Sequence, residues 1–288
     1  MSDSNENYLQ DIYMPLPGEI WYHYTDINGL YGILNEGKFY ATDYRFLNDK
    51  SEITYTFDLL REILIEKLDL IEDIDYKATI ERLISEFESE IEYFITTNIY
   101  IISFSKNKDS LSLWSNYSNK QGYNIGIDIT NTFALTRESD FFTCEVIYDR
   151  QKQKELILIQ ISKLIENLNN LEFKIYDYIN KCISDFLTEI YMYSMYFKDE
   201  LFKCEEECRV IYIDLLRSVD VMYRPARNLI VPYIKIPKDK EYLPIKYITI
   251  GPTNHSDIIF ESIKEFVKSK KYIIPDECIK KSDITLRF

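Results

Sequence analysis

The chain has 288 residues, 46% of them hydrophobic and 28% charged, which is a globular composition, and no apolar run approaches the roughly 18 to 20 residues that cross a bilayer. A net charge of −14 argues against non-specific duplex binding, which needs a surplus of Lys and Arg, but leaves room for a nucleotide-sized ligand. Two histidines in the whole chain weigh against a histidine-built zinc site, so any metal would be held by carboxylates. The polar, acidic stretch 1–7 shows no secretory signal, and the expected location is the cytoplasm. Five cysteines without framework spacing read as reduced thiols. Cys204 and Cys208, four apart on an expected strand, would share a face yet stand too far apart to pair.

The first expected strand is Glu19 to Tyr24. Asp26 then caps a helix carrying Ile27, Leu30, Tyr31 and Leu34, and Gly37 stops it. Lys38 to Thr42 reads as a second strand and Asp43 to Asp49 as an ordered loop, with Asn48-Asp49 able to cap the helix that follows. Residues 51–95 read as helical, a hairpin broken near 73–75. Asn98 to Phe104 is nearly continuous apolar strand with a polar end at Ser103 and Ser105, which suggests a central place in a sheet. Asp109 or Ser110 starts a short helix with Leu111, Leu113, Trp114 and Tyr117. Gly122 to Ile129 and Phe141 to Tyr148 read as strands, and 151–197 as a second helical hairpin. The last third returns to strands at Glu206 to Ile213, Leu229 to Ile236 and Ile245 to Gly251, then a helix near Asp257 to Lys268. Strands flank both helical regions and no linker composition intervenes. The expectation is therefore one α+β domain over 1–288 with helical insertions at about 51–95 and 151–197.

Strand periodicity places Glu205, Glu207 and Arg209 on one face, with Glu206, Cys208 and Val210 on the other. Two carboxylates and a guanidinium on a strand that runs into Val210-Ile211-Tyr212-Ile213 are costly to bury without partners, which marks a site. A bland alternative is an exposed cross-strand ion pair. His23 shares a face with Trp21 and Thr25. It is either a structural histidine or a neutral imidazole that hydrogen-bonds a ribose hydroxyl or carbonyl. Ser103 and Ser105 share a face as well, but no nucleophile elbow surrounds them. Gly122 and Gly126, in a chain with seven glycines, call for a close backbone approach.

The order of motifs resembles a family of uncharacterised bacterial proteins. It runs Tyr22-His23-Tyr24-Thr25, Leu47-Asn48-Asp49 with Glu52, Phe104-Ser105, Leu113-Trp114-Ser115-Asn116-Tyr117 and Gly122. It continues through Lys198, Phe202, Glu205, Glu207 and Arg209 to Pro232-Tyr233 and Ile250-Gly251-Pro252. That family in turn looks like a distant relative of the ADP-ribosyltransferases, with a first-strand His, a Ser-x-Ser strand and a late Glu-x-Glu in the same order. The resemblance implies a split, mixed or antiparallel sheet and NAD consumed as a substrate, with transfer to an acceptor or to water, as in a toxin or phage-defence effector. Carried over, Glu207 is catalytic and Glu205 faces the acceptor. His23, with Thr25 beside it, holds the adenosine-side ribose, and Ser103 and Ser105 support the nicotinamide pocket. Tyr44 or Tyr117 stacks on the nicotinamide ring. Arg209 either serves NAD or neutralises Glu207. Two rival readings stand beside this one: a non-catalytic binding module on the same scaffold, and a divalent-metal nuclease built from Asp49, Glu52, Glu205 and Glu207.

Overall fold

A computed structural model of the chain describes residues 15–47, 51–68, 77–78, 81, 98–118, 121–133, 141–169, 176–214, 219–226, 228–237, 242–253, 256–270 and 272–285. The break expected near 73–75 and the Asn48-Asp49 cap lie outside them. The chain divides into two compact units, one formed by Met1–Phe46, Asn98–Glu145 and Cys204–Phe288, the other by Leu47–Thr97 and Val146–Lys203. The two helical insertions, separate in sequence, thus belong to one unit.

The first unit opens with β1 (Ile20–Thr25), α1 (Ile27–Glu36) and β2 (Phe39–Asp43). The Asp26 carboxylate accepts the Gly29 N–H at 2.8 Å, which satisfies an orphan donor of the first turn. Gly37, at φ 64°, closes α1 in the left-handed conformation and donates its N–H to the Ile33 carbonyl. β3 (Asn98–Ser105), α3 (Leu111–Tyr117), β4 (Tyr123–Asp128), α4 (Ile129–Phe133) and β5 (Phe141–Glu145) follow. The unit ends with β6 (Glu207–Asp214), β7 (Met222–Ala226), β8 (Leu229–Ile236), β9 (Ile245–Ile250), α7 (Ser256–Ser269) and β10 (Ile279–Lys281).

The ten strands among the described residues form one mixed, largely antiparallel sheet in the order β10-β9-β4-β1-β3-β2-β8-β7, in which, of these strands, only β9 and β10 pair in parallel. β6 pairs with β3 along its whole length and carries β5 beyond it. One edge of β3 is thereby taken, so β1 and β2 share the other: Tyr22 of β1 pairs with Ser105, while Thr42 and Asp43 of β2 pair with Ile101 and Tyr100. From that shared edge the sheet branches into a β1-β4-β9-β10 wing and a β2-β8-β7 wing.

The core covers one face, where Trp21, Phe39, Phe104, Ile125, Ile127, Cys208, Val210 and Ile234 pack with Leu30, Ile33 and Leu34 of α1 and Ile263 and Val267 of α7. A smaller cluster on the opposite face joins Tyr24, Leu113 and Trp114, with Tyr22 and Tyr117 against it. Glycine makes that packing possible. A Cβ on Gly122 would stand 2.3 Å from the Thr25 carbonyl oxygen and 2.4 Å from that of Ser118, and Gly251 donates its N–H to Gly122 O at 2.9 Å.

In the second unit, α2 (Ser51–Leu68), α5 (Arg150–Asn169) and α6 (Tyr176–Ser194) pack on one another, burying Phe57, Leu60, Ile63 and Leu64 with Ile157, Ile161, Ile183 and Leu187. Glu62 ties α2 to α5 by accepting from Arg150 and, at 2.8 Å, from Lys154.

Several expectations need correction. The strand expected to carry both glutamates starts only at Glu207, because Glu207 is the last residue paired with β3, opposite Ser105. Glu205 ends a 3-10 turn (Glu200–Glu205), and Glu206 sits at φ 44°, so Glu205 does not share the strand face of Glu207 by alternation. Cys204 is exposed in that turn while Cys208 faces the core, so the two do not share a face; all five cysteines are free. β5 stops at Glu145, where its pairing with Cys208 ends, short of Tyr148. Ile129, expected to close the strand from Gly122, instead opens α4. β7 and β10 were not expected. β7 contains Pro225, which a ladder tolerates only at an edge, and β10 has three residues.

Candidate active site

β3 and β6 run antiparallel with Ser103 opposite Arg209 and Ser105 opposite Glu207. Directly paired residues project to the same face, so these four side chains lie together, on the side away from the main core. On that face Arg209 donates from Nε to Glu207 Oε1 at 2.8 Å and from Nη2 to Oε2 at 2.9 Å, a bidentate pair. Arg209 is 1% exposed and Glu207 6%, so the pair is fully desolvated. Cys144 of β5 stands opposite Arg209. Burial pushes its thiol up to about 12, with the Arg209 charge pulling the other way, which leaves it protonated and inert.

Glu205 reaches the same region by a different route. The left-handed Glu206 turns the chain out of the 3-10 segment and into β6, and the Ser105 hydroxyl fixes that turn by donating to the Glu205 carbonyl at 2.7 Å. The same hydroxyl accepts the Asn107 N–H at 3.0 Å, and Lys106 N–H bonds Glu206 O at 3.0 Å. The buried Glu205 carboxylate accepts from the Tyr117 phenol at 2.7 Å. Tyr117 comes from the last turn of α3, a helix anchored by the Trp114 indole N–H on Asp109 at 2.7 Å and by edge-on packing of Tyr24 on Trp114. Three segments, the end of β3, the last turn of α3 and the turn into β6, thus bring together Ser105, Tyr117, Glu205, Glu207 and Arg209.

The geometry separates the remaining expected residues. Tyr22 pairs with Ser105, so His23 and Thr25, odd neighbours on β1, project to the opposite face. His23 stands edge-on to Phe39 and Phe104 at 5.4 and 5.6 Å, and its Nδ1 meets the Ser103 carbonyl at 2.9 Å. Ser103 lies between Ile101, which pairs with β2, and Ser105, which pairs with β1, and the imidazole gives its carbonyl a donor. Burial pulls the His23 pKa down to about 4, against the Ser103 bond and together with the charge of Arg224. Thr25 packs beside Gly29 at the start of α1. Tyr44 follows Asp43, which pairs with Tyr100, and so lies buried at the far end of β3 from Ser105.

Two residues outside the expected set occupy the same polar face. Asn124 of β4, fully buried opposite Tyr24, donates to Lys108 O at 2.7 Å, and its Oδ1 has no hydrogen-bond partner. Arg224 of β7 packs against Tyr40 and Tyr233. A lone amide and a lone guanidinium in short strands are the only sequence signals of either. Among the described residues no group of three or more His, Cys, Asp or Glu is arranged to hold a metal ion. For the nuclease reading, Asp49 lies outside the described residues, as does the Glu52 side chain.

Residues 113–210 match a family described as a protein of unknown function, DUF2971, a segment that runs from α3 through β6 and includes Tyr117, Glu205, Glu207 and Arg209. A 109-residue stretch, 38% of the chain, is 28% identical to a probable DNA double-strand break repair nuclease, NurA, of Methanocaldococcus jannaschii, and spans 24% of that protein. No solved structure matches the chain. No helix among the described residues is long and apolar enough to cross a membrane.

Proposed function

We propose that the chain consumes NAD as an ADP-ribosyl-transfer enzyme, with its chemistry at the Ser105, Glu205, Glu207 and Tyr117 end of the polar sheet face. The observation that supports this reading is the convergence of two buried glutamates, Glu205 and Glu207, at one end of β3 beside the Ser105 hydroxyl. In the reaction the bond from C1′ of the ribose to nicotinamide breaks, nicotinamide leaves with the electron pair, and positive charge grows on the ribosyl ring. A carboxylate held in a water-poor site stabilises that charge, and an acceptor hydroxyl or water closes the new bond at C1′ and releases its proton. Tyr117 holds Glu205 for this task. The pairing of both Glu207 oxygens with Arg209 gives Glu207 a positioning role at the start of β6.

The test is incubation of the purified protein with NAD labelled on the adenine side, beside Glu205→Gln and Glu207→Gln, following nicotinamide release and label transfer in a cell extract. Release that disappears in Glu205→Gln supports the reading; release from no protein in any extract refutes it. One observation favours a second reading. A desolvated, bidentate Glu207–Arg209 pair also suits a rigid strut in a non-catalytic binding module, and unchanged NAD levels on overexpression, with ligand binding retained, would select that reading.

A further inference from the structure

The β2-β8-β7 wing carries a cationic group that the proposed chemistry does not use. Thr42 pairs with Tyr233 and Tyr40 with Lys235, while Met222 of β7 pairs with Tyr233 and Arg224 with Val231. By alternation Tyr40, Thr42, Tyr233 and Arg224 share a face, the one that also carries Ser103 and Ser105, since Thr42 pairs with Ile101 of β3. The Arg224 guanidinium lies 5.8 Å from the Tyr40 ring centre and 5.4 Å from that of Tyr233, and these two rings are 5.0 Å apart. Its Nη2 donates to Thr42 Oγ1 at 2.9 Å, and its buried Nε has no acceptor.

Among the described residues no carboxylate forms an ion pair with Arg224. The nearby acids are committed elsewhere: Asp26, whose charge Arg224 feels, caps α1, and Glu36 pairs with Lys235 at 2.7 Å. Burial lowers the Arg224 pKa, the direction expected of a desolvated cation, yet a guanidinium stays charged. A half-buried charge held in one orientation by two aromatic faces and a hydroxyl, with no carboxylate at ion-pair distance among the described residues, is costly in the absence of a ligand. The same arrangement holds the planar fork in a fixed orientation, which suits an oxyanion.

We infer that Arg224, with Tyr40, Thr42 and Tyr233, forms a binding site for the phosphate group of a small molecule. The inference does not depend on which carboxylate performs chemistry, and it stands if NAD is not the substrate. Two arms of the test separate the sources of the phosphate. Inorganic pyrophosphate probes the anion alone, and ADP probes the nucleotide, with adenosine as the uncharged control.

Calorimetric titration of the full chain with each probe is the experiment, repeated with Arg224→Gln and Arg224→Lys after circular dichroism has established that each is folded. The expected result is binding of ADP or pyrophosphate, none of adenosine, and at least a tenfold loss in Arg224→Gln. Arg224→Lys should lose affinity as well, because an ammonium has no planar fork. Failure of the wild-type chain to bind either phosphate probe at millimolar concentration overturns the site, as does equal affinity in a folded variant or equal binding of adenosine. If Arg224→Gln does not fold, Arg224→Lys decides alone.

Discussion

Arg209 holds Glu207 by two hydrogen bonds of 2.8 and 2.9 Å between residues two apart on one strand, and neither side chain is more than 6% exposed. Replacing only one takes a bidentate partner from a charge in a desolvated place, so Arg209→Met should destabilise the fold by about 3–5 kcal/mol. Replacing both with apolar residues of similar volume, Glu207→Leu with Arg209→Met, should recover most of that loss. Urea denaturation of both variants beside the wild type checks it, and a double variant no more stable than the single one would refute the account.

Tyr117→Phe removes the hydroxyl that bonds Glu205 and leaves the packing on Tyr24, Leu113 and Trp114 in place. A hydrogen bond to a charged carboxylate is worth about 1.5–3 kcal/mol, so the variant should lose stability in that range. On the proposed chemistry it should also lower the rate of nicotinamide release at saturating NAD while leaving NAD binding nearly unchanged.

His23 titrates at about 4 in the folded chain against an ordinary 6.5. Below 6.5 the unfolded chain takes up a proton that the folded chain refuses, so its contribution is complete above that pH and is lost as pH falls toward 4. The full loss is at most ~3 kcal/mol. His23→Gln has an amide to give to the Ser103 carbonyl but no titration in this window. The stability difference between wild type and variant, followed by denaturation from pH 7 to pH 4, should shift in favour of the variant as pH falls; a constant difference would contradict a neutral, half-buried imidazole.

Gly122→Ala should cost about 1–3 kcal/mol, the usual range for forcing an extra carbon into a packed site, and the loss should sit at its upper end because the atoms met are backbone oxygens that cannot rotate away. Amide exchange should report it locally, with the Gly251 N–H, which bonds Gly122 O, losing protection first.

Local signals in the sequence reached far where the chemistry was local. Asp26 and Gly37 bracket α1 as cap and stop residues do, and the apolar run from Asn98 gives a strand that is indeed paired on both edges. The faces of Cys208 and Val210 followed from alternation. Glu205 did not, because a single left-handed residue, Glu206, breaks the period, and nothing in Glu-Glu-Glu announces a positive φ. The grouping of His23 with the serines failed for a different reason. Order along the chain ranks the motifs but does not give the register, and a shift of one residue between β1 and β3 decides which face His23 takes. The Tyr117 bond to Glu205 spans 88 residues and has no local signature.

The sharing of one β3 edge by β1 and β2 has a consequence for how the protein is made. The other edge of β3 is closed by β6, about a hundred residues downstream of Ser105, with much of the second unit encoded in between. While the chain emerges from the ribosome, Ile99, Ile101 and Phe104 must wait beside an open row of amides and carbonyls until residue 214 has been synthesised. Nascent chains released before that point should aggregate or recruit chaperones, and those released after it should not.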